Sequence, residues 1–568
     1  MSGQRDHLTK NDGHAMYQPQ TSKRYSRRHV LQTALGAASA AGVLAPGLHR
    51  GALATQATPQ MGDLVAGVDY FPSPAPGVPV AYVRVPPSYT TVNETPGRGG
   101  TVTIFTISYF PPVPSRDDNS YWQELESRLG VTIEMTPIPA NAYDQRFATM
   151  AASGDFADMT NLPGPRPAHL QAIEQGAFTD LTSYLTGDAL QDYPNLALLP
   201  PQVWANSAIN GKVYGVPRPL PLVDSSLAIR KDWAEQYELW SPTNADEFQQ
   251  VLVNFTENDP DGNGSADTWG IAAAEYGMGY IQQIFRAPNN WRLNDDGSLT
   301  HMIETEEFRA AIEYAHGLFD AGVFHPDAAT MAGSEMEQAI AGGVIGAYTA
   351  GMQGLWPAGK VWDQFATVHP DLGNPVERIV HLVAPGHDGG AGAQPTAPGF
   401  FGIAAIPASV GQDEKRVREL LRILDWWAAP FGSEEWRFKN YGLEGVHHDV
   451  GEDGSLVKTE QGNLEIGDFW HLASGEREYI SSTSGGAKYM QDVTAEMLAI
   501  GVDDPTMGLY PEAVGEHGAE LEQFLIDQQI AIISGRSPLD ALTEMIDGWE
   551  SRGGDQIRAE YEAGLAAR

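Results

Sequence analysis

The sequence predicts an α/β fold with a helical C-terminal region. Three observations carry that reading: a strand–helix–strand unit opens the body at 101–136, apolar strands and amphipathic helices keep alternating to about residue 430, and helical spacing dominates from about 487 onward. TVTIFTI (101–107) is β-branched and apolar, a strand. Ser120 with Gln123 forms a capping box that opens YWQELESRL, and Gly130 stops it. VTIEMT (131–136) sets Val131, Ile133 and Met135 against polar neighbours, a second strand. A crossover helix between the two makes them parallel. Ligands of open parallel sheets sit beyond the carboxyl ends of the strands, which points to the loop beginning Ser108-Tyr109-Phe110.

Later elements follow in the same way. Helices are expected over AYDQRFATMAAS (142–153), RKDWAEQYEL (230–239) and EEFRAAIEYAHGLFDAG (306–322). The last aligns Phe308, Ile312, Ala315 and Phe319 on one face. SVGQDEKRVRELLRILDWW (409–427) starts on a second Ser/Gln capping box, and its Val417, Leu420, Leu421, Leu424 and Trp427 keep helical spacing, which makes the Trp pair core. Strands are expected at KVYGVP (212–217), ERIVHLVAP (377–385) and FFGIAAIP (400–407). There is no internal repeat.

The 568 residues, 42% of them hydrophobic, suffice for two or three domains with sizeable cores. Acidic residues number 73 against 35 basic ones, a net charge of −38. Residues 1–54 alone carry +5, which leaves −43 for the body. Such a body is repelled by nucleic acid and by anionic lipid, so no nucleic-acid partner is expected. With no cysteine there are no disulfides, no thiolate metal sites and no cysteine nucleophile.

The front of the chain reads as an address. SRRHVLQ (26–32) places Arg27 and Arg28 before a mild apolar run, Val30 to Ala45, and Ala52-Leu53-Ala54 supplies small residues at signal-peptidase spacing. Adjacent arginines there resemble a twin-arginine signal, so residues 1–54 are expected to direct export to the periplasm or the cell exterior. No other apolar run of about 20 residues follows, so the mature chain is expected not to insert into a membrane. Residues 55–99, rich in Pro and Gly (FPSPAPGVPV, TPGRGG), read as a linker or loosely packed arm.

NDPDGNGSADTWG (258–270) places oxygen side chains at every second position. Taking Asp259 as position 1 of an EF-hand-type loop, Asp261, Asn263, the Ser265 carbonyl and Asp267 fall at 3, 5, 7 and 9, with Gly264 at the sharp turn. Hard oxygen ligands without His or Cys favour Ca2+; the alternative is a solvated Asx/Gly turn. Position 12, where a bidentate Glu belongs, is Gly270, so the shell needs Thr268, another segment or water. A loop of this kind is a structural clamp that stabilises the folded state.

Several stretches, taken in order, resemble the family 1 extracellular solute-binding proteins of ABC importers, in the calcium-carrying branch similar to alginate-binding and lipoprotein-like sugar-binding proteins. They are SGDFADM (153–159), QGAFTDLTSYL (175–185), NGKVYGVPRP (210–219), AIRKDWAEQYEL and SPTNADEF (within 228–248), the acidic loop, NYGLEGVHH (440–448) and SPLDALTEMIDGWESRGGDQIRAEYEAGL (537–565). The resemblance implies a two-lobed periplasmic-binding-protein type II fold with hinge-linked lobes. The N-terminal lobe would hold 100–220 and 383–435, and the C-terminal lobe, with the calcium loop, 221–382 and 436–568. The chain would cross near Pro219–Asp224, return near 383 and cross again near 430–440. It also implies capture of a carbohydrate without chemistry, a monomer, and delivery to importer permease subunits.

A sugar cleft needs planar polar groups for hydroxyls and aromatic rings for C–H faces. The candidates are Tyr109 and Phe110 after the first strand, Arg218 after the GVP strand, Trp291 in APNNWRL, Trp356 after the Gly-rich stretch, and Glu444 with His447 in YGLEGVHH. Each has a packing role as its alternative, and Trp204 in PPQVWAN reads as packing. The rival function is a secreted, calcium-stabilised carbohydrate-active enzyme, which needs two carboxylates at defined separation; a calcium-stabilised adhesion module is disfavoured by the βαβ pattern. No G-x-S-x-G, H-E-x-x-H, P-loop or G-x-G-x-x-G context is present.

Overall fold

The computed structural model describes residues 64–568, apart from Phe110, Pro165, Pro357, Ala358, 452–454, Asp468, Trp470 and Ser482. Two mixed sheets organise this body; two apolar clusters on the first together make the first core, and a single cluster on the second makes the second core. In the first, the order is Thr132–Pro139, Thr101–Ser108, Met159–Pro163, Phe400–Ala405, Gly215–Pro219. The 101–108 strand pairs in parallel with both neighbours, as the crossover helix requires. Phe400–Ala405 runs antiparallel to both strands beside it. In the second sheet the order is Ile379–Leu382, Ser225–Arg230, Ile345–Gly351, Trp269–Ala272, with only the last pair parallel.

The first crossover helix is Ser120–Leu129, closed by Gly130 at φ 69°. Its cap differs from the expected one. Asn119, not Ser120, accepts the Trp122 N–H at 2.8 Å, because the Ser120 hydroxyl is drawn to Glu465 instead. The 409–427 segment likewise breaks in two: Ala408–Gly411, then Glu414–Trp427 with Asp413 as the cap. Trp426 and Trp427 are buried in the first core, as their spacing predicts. Trp204 packs at its edge.

Core membership shows where the chain changes lobe. Val216 packs in the first core and Val223 in the second, so Leu220–Asp224 is a crossing. Ala384 belongs to the second core and Phe400 to the first, a second crossing. Phe438, Ile466, Phe469, Leu472 and Ala473 still pack in the first core, and Tyr479 in the second. The third crossing therefore lies at 474–478, later than the stretch near 430–440. Short-range patterns could not reveal this, since the intervening helix Glu434–Tyr441 can face either core until Phe438 stacks on Tyr121 at 5.1 Å. The C-terminal helices Gly486–Leu498, Glu512–Ile533, Ala541–Trp549 and Asp555–Ala566 pack mainly on the second core. No helix among the described residues is long and apolar enough to cross a membrane.

Candidate functional site

The carboxyl ends of 101–108 and 215–219 and the start of 400–405 share one edge of the first sheet, by their pairing directions. The start of 225–230 and the end of 345–351 share one edge of the second. Leu220–Asp224 alone joins 215–219 to 225–230, so a few residues connect the two edges. Ligands of such sheets bind at these edges.

Side chains of the chemistry expected there converge on the first edge. Tyr109, 56% exposed, lies 5.5 Å from the His471 ring and 6.3 Å from the Phe401 ring. Phe401 and His471 are 5.7 Å apart, and the Arg218 guanidinium sits 5.0 Å over the Phe401 face. Arg218 is only 3% exposed. Burial and then the neighbouring Arg477 disfavour its charge, with Tyr109 partly offsetting them. Lys439 is pushed down to about 7 by burial, reinforced by Arg218 and Arg477 and opposed by Glu478. Its ammonium donates to the Trp427 carbonyl at 2.6 Å and to that of Ala473 at 3.5 Å. Burial, then Glu476, raises Glu478 well above the carboxylate range, against Arg477 and Lys439. Aromatic faces next to desolvated cationic donors can hold a ligand with apolar C–H faces and oxygen acceptors.

Of the sequence candidates, Tyr109 and Arg218 are thus brought together. Phe110 lies outside the described residues, as do Arg27, Arg28, Ala52 and Ala54. Trp356 is half-buried and stands edge-on to Tyr479, 5.8 Å away, just beyond the second sheet's edge. Trp291 is packed away from the site. It is 5% exposed and wedged among His301 (4.7 Å), Trp549 (5.9 Å) and Tyr561 (5.7 Å) in the second core. Glu444 lies exposed in the turn before His448.

His447 is fully buried. Its Nδ1 accepts the Leu443 N–H at 3.0 Å, which leaves the proton on Nε2, 3.1 Å from Glu465. The Ser120 hydroxyl donates to the same Glu465 oxygen at 2.7 Å. Ser, His and Glu here form no nucleophile relay, because serine and carboxylate share one ring nitrogen and no carboxylate orients the other. Burial alone would raise Glu465, but hydrogen bonds from Ser120, His447, the Tyr121 N–H and Gln461 outweigh it and hold the carboxyl at about 2. The motif locks the first helix to the 460–465 helix. Phe401, His471, Lys439 and Arg477 escaped the sequence reading. The run Glu476-Arg477-Glu478, charged but without helical spacing, was the one local signal.

The acidic loop closes on Asn263. Its side-chain amide donates to Asp261 at 2.8 Å and to Asp267 at 3.1 Å, while Asp259 accepts the N–H groups of Asn263 (3.1 Å) and Gly264 (2.9 Å). Asp259, Gly262 and Gly264 take positive φ, the conformation the tight turn needs. Partial burial, then a side-chain hydrogen bond with Asp259 and the charges of Asp259 and Asp267, raise Asp261 against the Asn263 N–H bond. Three carboxylates gathered this way, with amide and carbonyl oxygens between them, suit a hard divalent cation. Among the described residues, however, no three Asp, Glu or His side chains already stand in metal-holding geometry. Thr268 faces elsewhere: it is buried and its hydroxyl donates to the Phe255 carbonyl at 2.8 Å. The missing Glu at position 12 also has a physical reason. A Cβ at Gly270 would lie 2.6 Å from the Leu252 carbonyl oxygen, so a side chain there would displace the strand from the preceding helix.

Comparison with known proteins agrees with this architecture. The chain is 26% identical over 487 residues to lipoprotein LipO of Bacillus subtilis, covering 82% of this chain and 92% of that one. The structure of alginate-binding protein AlgQ2 without calcium ion superposes with a TM-score of 0.62 at 17% identity, over 84% of this chain and all of that one. An EF-hand mutant of the Streptococcus pneumoniae ABC-transporter substrate-binding protein FusA, in complex with fructo-nystose, gives 0.59 at 17% identity, over 82% and 99%. The fold is thus the α/β, two-lobed, hinge-linked one of the periplasmic-binding type. The pattern of bacterial extracellular solute-binding proteins matches residues 115–430, more than half of the 568, and the chain belongs to that family.

Proposed function

We propose that this protein is the extracytoplasmic receptor of an ABC importer and traps a carbohydrate, most simply an oligosaccharide, between its two lobes without altering it. The observation that carries this reading is the cluster of Tyr109, Phe401, His471 and Arg218 at the edge of the first sheet. The solute's flat face would stack on the rings, and its oxygens would accept from the cationic side chains. The body's −43 charge favours a neutral sugar at long range, whereas Arg218 and Arg477 favour carboxylate oxygens locally. Crossings at 220–224, 385–399 and 474–478 serve as the hinge about which the lobes close. On this reading the N-terminal lobe holds 100–219 and 400–473, rather than ending near 435, and the chain is a monomer that hands its solute to permease subunits.

The acidic loop would hold Ca2+ through Asp259, Asp261, Asn263, Ser265 and Asp267. The ion would offset most of the charge of the three carboxylates and fasten the loop between the helix Ala245–Glu257 and the strand Trp269–Ala272. The pattern at Arg27, Arg28, Ala52 and Ala54 supports export by the twin-arginine route to the periplasm or cell surface.

The test is calorimetric titration of the mature protein with kestose, nystose and alginate oligosaccharides, followed by chromatography of the recovered sugar. Intact sugar bound at a 1:1 ratio is expected. Cleaved sugar would replace this reading with the enzyme one.

A further inference from the structure

Residues 64–98 do not behave as the loose arm their composition suggests. They run from one core to the other. At the second lobe, Gln491 donates to the carbonyls of Phe71 (2.9 Å), Pro72 (3.2 Å) and Pro79 (2.9 Å), and Tyr479 N–H donates to Val80 at 2.9 Å. Ala81 is wholly buried in that core. Gly77 presses on the first crossing: a Cβ there would lie 2.6 Å from Leu222 Cδ1. The segment then passes Phe431, whose ring is 4.5 Å from Tyr82 and whose carbonyl accepts from the Tyr89 hydroxyl at 3.2 Å. At the first lobe, Glu435 Oε1 accepts the N–H groups of Thr91 (3.0 Å) and Val92 (2.8 Å). Gly97 N–H donates to Leu129 at 2.8 Å, and Arg98 N–H to Glu419 at 2.6 Å.

We infer that residues 64–98 are a strap, a connection between the lobes beyond the three crossings and the docking of Tyr510 on the first lobe, which limits how far they open and holds the 474–478 crossing that carries Arg477. Two properties make it more than a surface tail. Its anchors are buried on both sides: Gln491 is 2% and Glu435 4% exposed. Its pairing with Tyr479–Ile480 adds a strand directly after the third crossing. A connection fixed at both ends turns lobe opening into a motion that must stretch or detach it. This inference needs the two-lobed fold but no particular solute.

The chain lacks cysteine, so spin labels can be placed at Arg146→Cys on the first lobe and Glu313→Cys on the second. The inter-label distance distribution of the solute-free protein is measured by pulsed electron resonance. Glu435→Ala and Gln491→Leu, on opposite lobes, should each shift and broaden it to longer distances. Glu435→Gln should largely restore the parent distribution, since Oε1 accepts both strap amides and Oε2 takes only the longer 3.3 Å bond from Thr91. Thr91→Pro, which removes a donor from the strap side, substitutes if Glu435→Ala does not fold. A parent-like distribution in both anchor variants overturns the strap. Because no sugar is added, that outcome is separate from failure of the receptor reading.

Discussion

The lock formed by Ser120, His447 and Glu465 should make stability depend on pH in a defined window. The Glu465 carboxyl has a folded value of about 2 against an ordinary 4.5, and its side chain is 7% exposed, so solvent screens it little. A shift of that size corresponds to about 3 kcal/mol of stabilisation, taking 1.36 kcal/mol per unit. The sign follows from the depressed value. The stabilisation is complete above 4.5, where the unfolded chain is also ionised. It is lost as pH falls toward 2, because the unfolded carboxyl protonates first. Between pH 5 and pH 3 about 2 kcal/mol should disappear on this account. The perturbation is Glu465→Gln, and the assay is urea unfolding followed by tryptophan fluorescence from pH 7 down to pH 3. The wild type should lose its advantage over the variant across that interval. A difference that stays constant from pH 7 to pH 3 would show that the carboxylate's charge contributes nothing and the lock is only steric.

The remaining predictions concern the cleft, the loop and the second core. Tyr109→Ala should weaken sugar binding by up to about tenfold and Arg218→Ala by more, with the melting temperature of Tyr109→Ala unchanged; titration calorimetry and thermal melts check both. Chelation by EDTA should lower the melting temperature, and Asp261→Ala should mimic it while abolishing the EDTA effect; an unaltered melt on chelation would remove the cation from the account. Trp291→Ala should cost about 3–5 kcal/mol in urea unfolding, as a core truncation does, yet leave sugar affinity at the wild-type value.

The local patterns of the chain decided a good deal. Alternation at 131–136, the Gly130 stop, the helical spacing of Val417, Leu420, Leu421, Leu424 and Trp427, and the two-residue period of the acidic loop are all properties of neighbours in sequence, and periodicity reports them directly. The placement of Arg218 and Tyr109 at a sheet edge was legible because the carboxyl end of a strand is a place that sequence can locate.

What sequence could not decide was which surface a residue faces once its element is placed. Trp291 and His447 have the chemistry of ligand contacts, but Trp549 and Glu465, over 250 residues away and 18 residues away, enclose them. Ser120 gave up its capping role for the same reason: a carboxylate from position 465 outcompeted its own helix end. Residues 64–98 have the composition of a linker, yet buried Gln491 and Glu435 bond the backbone groups that its two short strands, Tyr70–Phe71 and Ala81–Tyr82, leave unpaired. Phe401, His471, Lys439 and Arg477 come from segments distant in sequence, so their cluster at the edge of the first sheet exists only in the folded chain. Periodicity is a property of a few neighbouring residues; enclosure depends on chain segments far apart, and only the folded arrangement sets it.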